Sequence, residues 1–419
     1  MVNRRSFKTR LFLAKWYFHD YIRFKNGWLG PLLLVLAYVV WPATNLRWNL
    51  LLAAHRFSYS KSSLRLIRKH LKSLGQWSLA CVEIEDPDLD REFFDKRHII
   101  LRSPDFSDDG VCLSRGVLLI TFTTTFPYFL KCEERDRFLR DYVVVIEPSW
   151  AGYALPEILA WTCFENPVIV QASEKKDFEF IRALDSNLVP VEFDASDWVD
   201  HELFYPIVSV KKEFDSLLVG NSTYVKRIHI FLRAIKTLKD PSYKAALVLG
   251  DWGEFYDRII NLIDVYGVKN NVAVFKNLSP KDLNILYNKS KVNVLLSLKE
   301  GSNRVIFEGF FAGTPGIVLS ENVGVNKSYF NDETGKVVKE SDLPETLREF
   351  KSSFERFTTA KWARENISCI CTTEKLSRVL SDPVFGFDAA KPVDIKVKVN
   401  APEVKLFENA GNDHSLYKV

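Results

Sequence analysis

The residues best suited to chemistry cluster in KEGSNRVIFEGFFAGTPGIVL, residues 299–319. The stretch follows VNVLLS, an apolar run that reads as a buried strand, and opens a helix whose apolar face includes Val305, Ile306 and Phe310. The spacing puts Glu300 in the strand-to-helix loop and Glu308 about one turn inside the helix. Gly301 lets backbone approach a ligand closely, and the amides of Ser302, Asn303 and Arg304 present an anion site at a helix N-terminus. Such a loop suits a phosphate flanked by carboxylates that bind hydroxyls. Upstream, VGNSTYVKR carries Gly220, Asn221, Lys226 and Arg227 just past another apolar run, and LVLGD ends a third in Gly250.

Strands and helices must bring these residues together. From about residue 97 the chain alternates short β-branched runs with helical stretches, the pattern of a parallel sheet covered by helices. HIILR, VLLITF, YVVVIE and PVIVQA form a first set of strands; SLLVG, AALVLG, NVAVF, VNVLLS and GIVLS form a second. Two such sets predict an α/β protein of two Rossmann-like domains, with parallel sheets facing a cleft and ligands at the carboxyl ends of the strands. The expected boundaries are 76–205 for the first domain, 206–383 for the second and 384–419 for a tail, either an edge strand or an irregular end.

A net charge of +4 conceals an asymmetry. Residues 1–75 hold 14 Lys and Arg against one acid, Asp20, whereas the rest of the chain holds 43 against 52. Inside this basic arm, residues 26–46 are uncharged and largely apolar, near the threshold of about 20 residues that a membrane span needs. Basic and aromatic residues lie on both sides, the mixture that settles at a lipid headgroup boundary. A single span, a monotopic surface hairpin and a buried core helix with a cationic rim are all compatible with this pattern. The charges flank an apolar run instead of lining a nucleic-acid groove, so a membrane is the expected partner and nucleic acid is not. The six cysteines are scattered without metal-ligand spacing, and are expected to be buried thiols of a reducing compartment. Five Asn-x-Ser/Thr sequons, several within the motif region, agree with a body on the cytoplasmic face of a membrane, where they stay unglycosylated.

The ordered set of motifs resembles glycosyltransferase family 4, whose retaining enzymes share the GT-B fold and a Glu-x7-Glu motif. The resemblance rests on Gly220 and Lys226 after a strand, Gly250 at the end of the next, NVAVFKNLS, Glu300 to Glu308, and AGTPGIV. It is good over residues 214–338, covers the first domain only in outline, and does not touch residues 1–75. It implies that Glu300 and Glu308 are the catalytic pair, Glu308 holding ribose hydroxyls and Glu300 the transferred sugar. Lys226 would pair with the donor diphosphate, aided by Arg227, Arg304 and the helix amides, without a metal or other cofactor. Where the family usually has an arginine close after Gly220, this chain has Asn221, whose amide cannot supply the charge.

The resulting expectation is a membrane-associated retaining transferase moving sugar from a nucleotide-sugar to a glycan or lipid-linked acceptor in surface polysaccharide or glycoconjugate synthesis. The alternative is a catalytically silent GT-B scaffold that binds a nucleotide or glycan at a membrane; a nucleotide-sugar epimerase lacks a paired acid and base in the first domain. Glu147, Ser149, Trp150 and Tyr153 of EPSWAGYALPEI end a strand there and are either acceptor-side residues or parts of a turn with buried aromatics. The acidic run DPDLD, residues 86–90, reads as a solvated turn and not a metal site, His229 as structural, and Asp251 as a nucleotide contact or helix cap.

Overall fold

A computed structural model describes residues 11–18, 20–22, 27–40, 44–74, 77–84, 97–133, 135–250 and 253–398. The DPDLD run and Asp251 lie outside the described residues. The chain divides into two compact units, one formed by Asn26–Trp198 with Cys369–Asn400, the other by Val199–Ser368 with Met1–Lys25. This differs from the expected boundaries at two places: the basic arm is shared between the units, and the chain after Ser368 returns to the first sheet.

The Asn26–Trp198 unit holds β1 (His98–Arg102), a ribbon of β2 (Asp105–Phe106) and β3 (Cys112–Ser114), β4 (Gly116–Thr121), β5 (Tyr142–Glu147), β6 (Val168–Gln171) and β7 (Leu188–Val191). The main sheet runs β1-β4-β5-β6-β7. β4 to β7 are parallel, but β1 is antiparallel to β4, against the all-parallel expectation. Only a ribbon separates β1 from β4, and antiparallel neighbours need no crossover helix. β7 contains Pro190, which cannot donate to a ladder and is tolerated because β7 is an edge. β4 and β5 are buried along their whole length, as strands covered on both faces must be. Leu118, Ile120, Val144 and Ile146 face one core, shared with Trp48, Leu52 and Ile67. Val117, Leu119, Val143 and Val145 face the other, where Trp198, Leu376, Leu380 and Val393 pack. Residues up to 398 thus belong to this unit rather than to a separate tail, and the Lys396 amide donates to Leu101 O at 2.8 Å.

The apolar stretch of the arm forms a hairpin of two helices, Leu29–Val39 and Thr44–Ser58. A side chain at Gly30 would put its Cβ 2.5 Å from Ser58 Cβ, so glycine is what lets the helices cross closely. At 11 residues the first helix is about 16 Å long, roughly half of a bilayer core, and no described helix is long and apolar enough to cross a membrane. The second helix is a true core element: Trp48 and Leu52 are buried, and Arg56 donates to Ala154 O at 2.5 Å. His55 is pushed down to about 4 by burial and by Arg56, so it sits there neutral. The outer face of Leu29–Val39 stays exposed. None of the six cysteines forms a disulfide; Cys132 and Cys369 are buried and the others partly so.

The Val199–Ser368 unit holds β8 (Ser216–Asn221), β9 (Ala245–Gly250), β10 (Val272–Lys276), β11 (Asn293–Leu295), β12 (Gly316–Leu319) and β13 (Gly335–Val338). All are parallel, in the order β10-β9-β8-β11-β12-β13. This is the doubly wound order, and it reverses between β8 and β11. β13 has only four residues and was not apparent in the sequence. Its Gly335 has φ +156° and a Cβ there would lie 2.0 Å from Gly316 O, so the edge strand docks only because that residue is glycine. Phe231, Ile235 and Leu347 cover one face of the sheet; Tyr287, Phe307 and Phe310 cover the other.

Candidate active site

The order reversal puts the loops after β8 and β11 side by side at the carboxyl ends of the strands, where doubly wound sheets bind ligands. Beyond β8, Tyr224–Lys226 forms a turn of 3-10 helix that leads through Arg227 into the helix Ile228–Leu238. Beyond β11, the chain reaches Glu300 and then the helix Arg304–Phe311. Lys226 Nζ donates to Glu300 Oε1 at 2.7 Å, both side chains being largely buried. Two residues 74 apart in sequence thus meet across the switch point. A Cβ at Gly220 would lie 2.8 Å from Lys226 Cγ, so the glycine clears the path along which the lysine stem crosses the strand end. Gly250 does the same for Asn221, whose Oδ1 would be 2.8 Å from a Cβ there. The Glu300 amide donates to Val323 O at 2.9 Å and fixes the carboxylate-bearing loop to its neighbour.

Glu308 is buried inside its helix, and Tyr287 Oη donates to its Oε2 at 3.1 Å. Burial pushes the Glu308 carboxyl up, partly opposed by Arg304 and by the Tyr287 hydroxyl. Asn303 Oδ1 accepts from the Ile306 amide at 3.2 Å, so this side chain caps the helix instead of reaching for a ligand. Gly301, Ser302 and Arg304 remain partly exposed at the helix start.

Arg227 departs from the expectation. It is 1% exposed and each of its guanidinium nitrogens has a partner: Nε with Asp20 at 2.7 Å, Nη2 with Glu340 at 2.7 Å, and Nη1 with Leu296 O at 3.2 Å. It is buried and ties loops together in this arrangement. His229 is buried against Trp16, with ring centroids 5.0 Å apart, as a structural residue would be. Sequence reasoning missed Tyr287, Glu340 and Ser222. Ser222 Oγ is buried in the loop after β8 and has no hydrogen-bond partner among the described residues. A serine in the Gly-Asn-Ser-Thr run was the available signal for it.

In the other unit, the candidates after β5 separate. Glu147 is buried and paired with Lys398, which also lies 5.0 Å over the Trp198 ring. Tyr153 is buried, its hydroxyl donating to Gln171 O at 2.7 Å. The Ser149 amide donates to Thr123 Oγ1 at 3.1 Å, joining two loops. These three hold the turn, the less functional of the two expected roles; Trp150, 45% exposed, alone presents a free face.

The Lys226–Glu300 pair at the switch point can be set beside known proteins. Residues 201–355 match the family of glycosyl transferases group 1. The matched region contains Gly220, Lys226, Gly250, Glu300 and Glu308, and the match supports a transferase. An uncharacterized glycosyltransferase of Methanocaldococcus jannaschii is 28% identical over 142 residues, 33% of this chain and 36% of that one, so the match spans about a third of that relative's length. Among solved structures, Anabaena HepE in complex with UDP has a TM-score of 0.51 at 15% identity, covering 63% of this chain and 78% of the other. The same protein with UDP and glucose gives 0.50 at 15% identity, covering 63% and 77%. At that identity the likeness is one of fold, and it supports the GT-B class.

Proposed function

We propose that the protein is a retaining glycosyltransferase of family 4 type that takes sugar from a nucleoside diphosphate donor to a glycan or lipid-linked acceptor. The observation that carries this reading is the Lys226–Glu300 contact at the switch point of a group 1 domain. The two charges satisfy each other. A bound donor would take Lys226 for its diphosphate and leave Glu300 for sugar hydroxyls, while the helix start at Arg304 and Ser222 Oγ add donors beside the phosphates. Charge building up on the leaving diphosphate is then stabilised by groups already in place, with no metal required. UDP is the first nucleotide to test, since the Anabaena protein was solved with it.

The experiment is a thermal-shift comparison of UDP, GDP and ADP, followed by turnover of the matching nucleotide-sugars. One of the three is expected to stabilise the fold, by about 2.7 kcal/mol at a hundredfold excess over its Kd. Absence of any shift would remove the donor reading. A catalytically silent scaffold is favoured by Asn221 and by the engagement of Arg227, which leave fewer cations for phosphate. That reading wins if a nucleotide binds but no donor is turned over.

The membrane part of the proposal places the protein on the cytoplasmic face, inserted monotopically. Trp28, Leu32, Val35, Leu36 and Val39 form an exposed apolar stripe at helical spacing, and Lys61, Arg65, Lys69 and Lys72 line the outer side of the helix Lys61–Leu74 in the same unit. Leu32→Glu combined with Val35→Glu is expected to cut co-sedimentation with phosphatidylglycerol vesicles at least tenfold while leaving nucleotide binding intact. Unchanged sedimentation would count against insertion by this stripe.

A further inference from the structure

We infer that Asp20 is a positioning residue for the donor site, acting through Arg227 on Lys226. The inference rests on the donor reading of the Lys226–Glu300 pair. It also gives the start of the basic arm a task separate from membrane binding.

The segment around Asp20 is built into the donor-side unit. Phe12 and Trp16 are buried in its core; Trp16 lies 5.7 Å from Phe255, and Arg258 stacks over Phe12 at 4.8 Å. Arg233 Nη1 donates to Tyr17 Oη at 2.9 Å. This packing brings the Asp20 carboxylate, 5% exposed, to Arg227.

Arg227 is placed to transmit what happens at Asp20. It is the residue after Lys226, and its amide closes the turn that carries the lysine by donating to Tyr224 O at 3.0 Å. Its φ is +49°, a left-handed conformation that strains a non-glycine residue, so the turn persists only while its surroundings hold it. The guanidinium supplies that hold, and its contact with Leu296 O reaches the chain leading from β11 to Glu300. Both halves of the Lys226–Glu300 pair therefore depend on one buried cation.

The charge balance makes Asp20 necessary. Glu340 is shared, giving Oε2 to Arg227 and Oε1 to Arg233 at 2.5 Å. Asp20 and Glu340 together match the two guanidinium groups; Glu340 alone does not. His229, beside them, is pushed down to about 3 by burial and the two arginines, so it adds no charge near neutral pH. Neutralising Asp20 leaves a buried guanidinium short of a carboxylate, the costly way to break a buried ion pair. Arg227 then relaxes toward other acceptors, and the turn bearing Lys226 relaxes with it.

The test measures UDP affinity of the full chain by calorimetry, with GDP and ADP as alternates if UDP is silent. Asp20→Asn is expected to weaken binding about tenfold, and Asp20→Glu to restore most of it. In a Lys226→Ala background, Asp20→Asn is expected to have no further effect, because its route runs through the lysine. If Asp20→Asn does not fold, Glu340→Gln removes the other carboxylate and carries the same prediction. Equal weakening in the wild-type and Lys226→Ala backgrounds, or unchanged affinity in Asp20→Asn, overturns the positioning role while leaving the donor reading intact. Failure of the wild-type chain to bind any of the three nucleotides overturns the donor reading itself, and the inference with it.

Discussion

Lys226→Ala is expected to lower kcat/KM for sugar transfer by about a thousandfold, on the order of 4 kcal/mol of transition-state stabilisation. The lysine sits in a largely buried place where a single charge is weakly screened, and in the proposed donor mode it faces the leaving diphosphate as that group gains negative charge. Ground-state affinity for UDP should fall less, about tenfold to a hundredfold, because the charge on the phosphates grows during bond cleavage. Glu300→Gln should behave differently. It releases Lys226 from its 2.7 Å partner, so UDP binds as well as before or several-fold tighter, while turnover falls at least a hundredfold through loss of the sugar contact. Isothermal titration with UDP and steady-state kinetics on the pair of variants separate the two roles. Parallel losses in affinity and turnover for both variants would mean that the pair is a structural salt bridge.

Glu308→Gln is expected to stabilise the fold and weaken the donor site together. Burial raises the Glu308 carboxyl, so its charged form is disfavoured in the folded chain relative to the unfolded one. A raised carboxyl contributes stability below the unfolded value of about 4.3, and that contribution is lost as pH rises through the folded value. Glutamine keeps the shape and an acceptor for the Tyr287 hydroxyl without the charge. Melting near pH 8 should therefore rise by about 2 °C or more in the variant, with the gap closing toward pH 4. UDP affinity should fall about tenfold to a hundredfold, since a carboxylate accepts from ribose hydroxyls more strongly than an amide. A lower melting temperature at pH 8 with unchanged UDP affinity would show that Glu308 supports the helix and does not serve a ligand.

Much of the Val199–Ser368 unit was legible because local signals and the fold agree there. The strand runs at 216, 245, 272, 293 and 316 are apolar, β-branched and followed by helical periods, and each appears as a strand. Lys226 and Glu300 could be placed together because each follows its own strand, and doubly wound order makes the first and fourth strands neighbours. β7 and β13 were hidden by Pro190 and by shortness, features that only an edge position tolerates. Trp150 and Tyr153 show the limit on the other sheet: three residues apart in one loop, one is exposed and one buried, and composition does not distinguish them.

By itself the sequence determined the two α/β sets, the group of side chains after β8 and β11, and the division into a basic arm and an acidic body. These follow from the periods of apolar residues and from glycines at strand ends, which are properties of neighbouring residues. Only the tertiary structure decided what each charge is for. Arg227 and Lys226 are adjacent and both cationic, yet one is locked among Asp20, Glu340 and Leu296 O while the other faces Glu300. The partners of Arg227 lie 207 and 113 residues away, and burial with such distant partners leaves no trace in a local pattern. The same holds for the arm, whose first helical residues fold into the Val199–Ser368 unit and whose apolar hairpin is half core and half exposed face. Charge and hydropathy identify which residues must find partners; packing alone selects them.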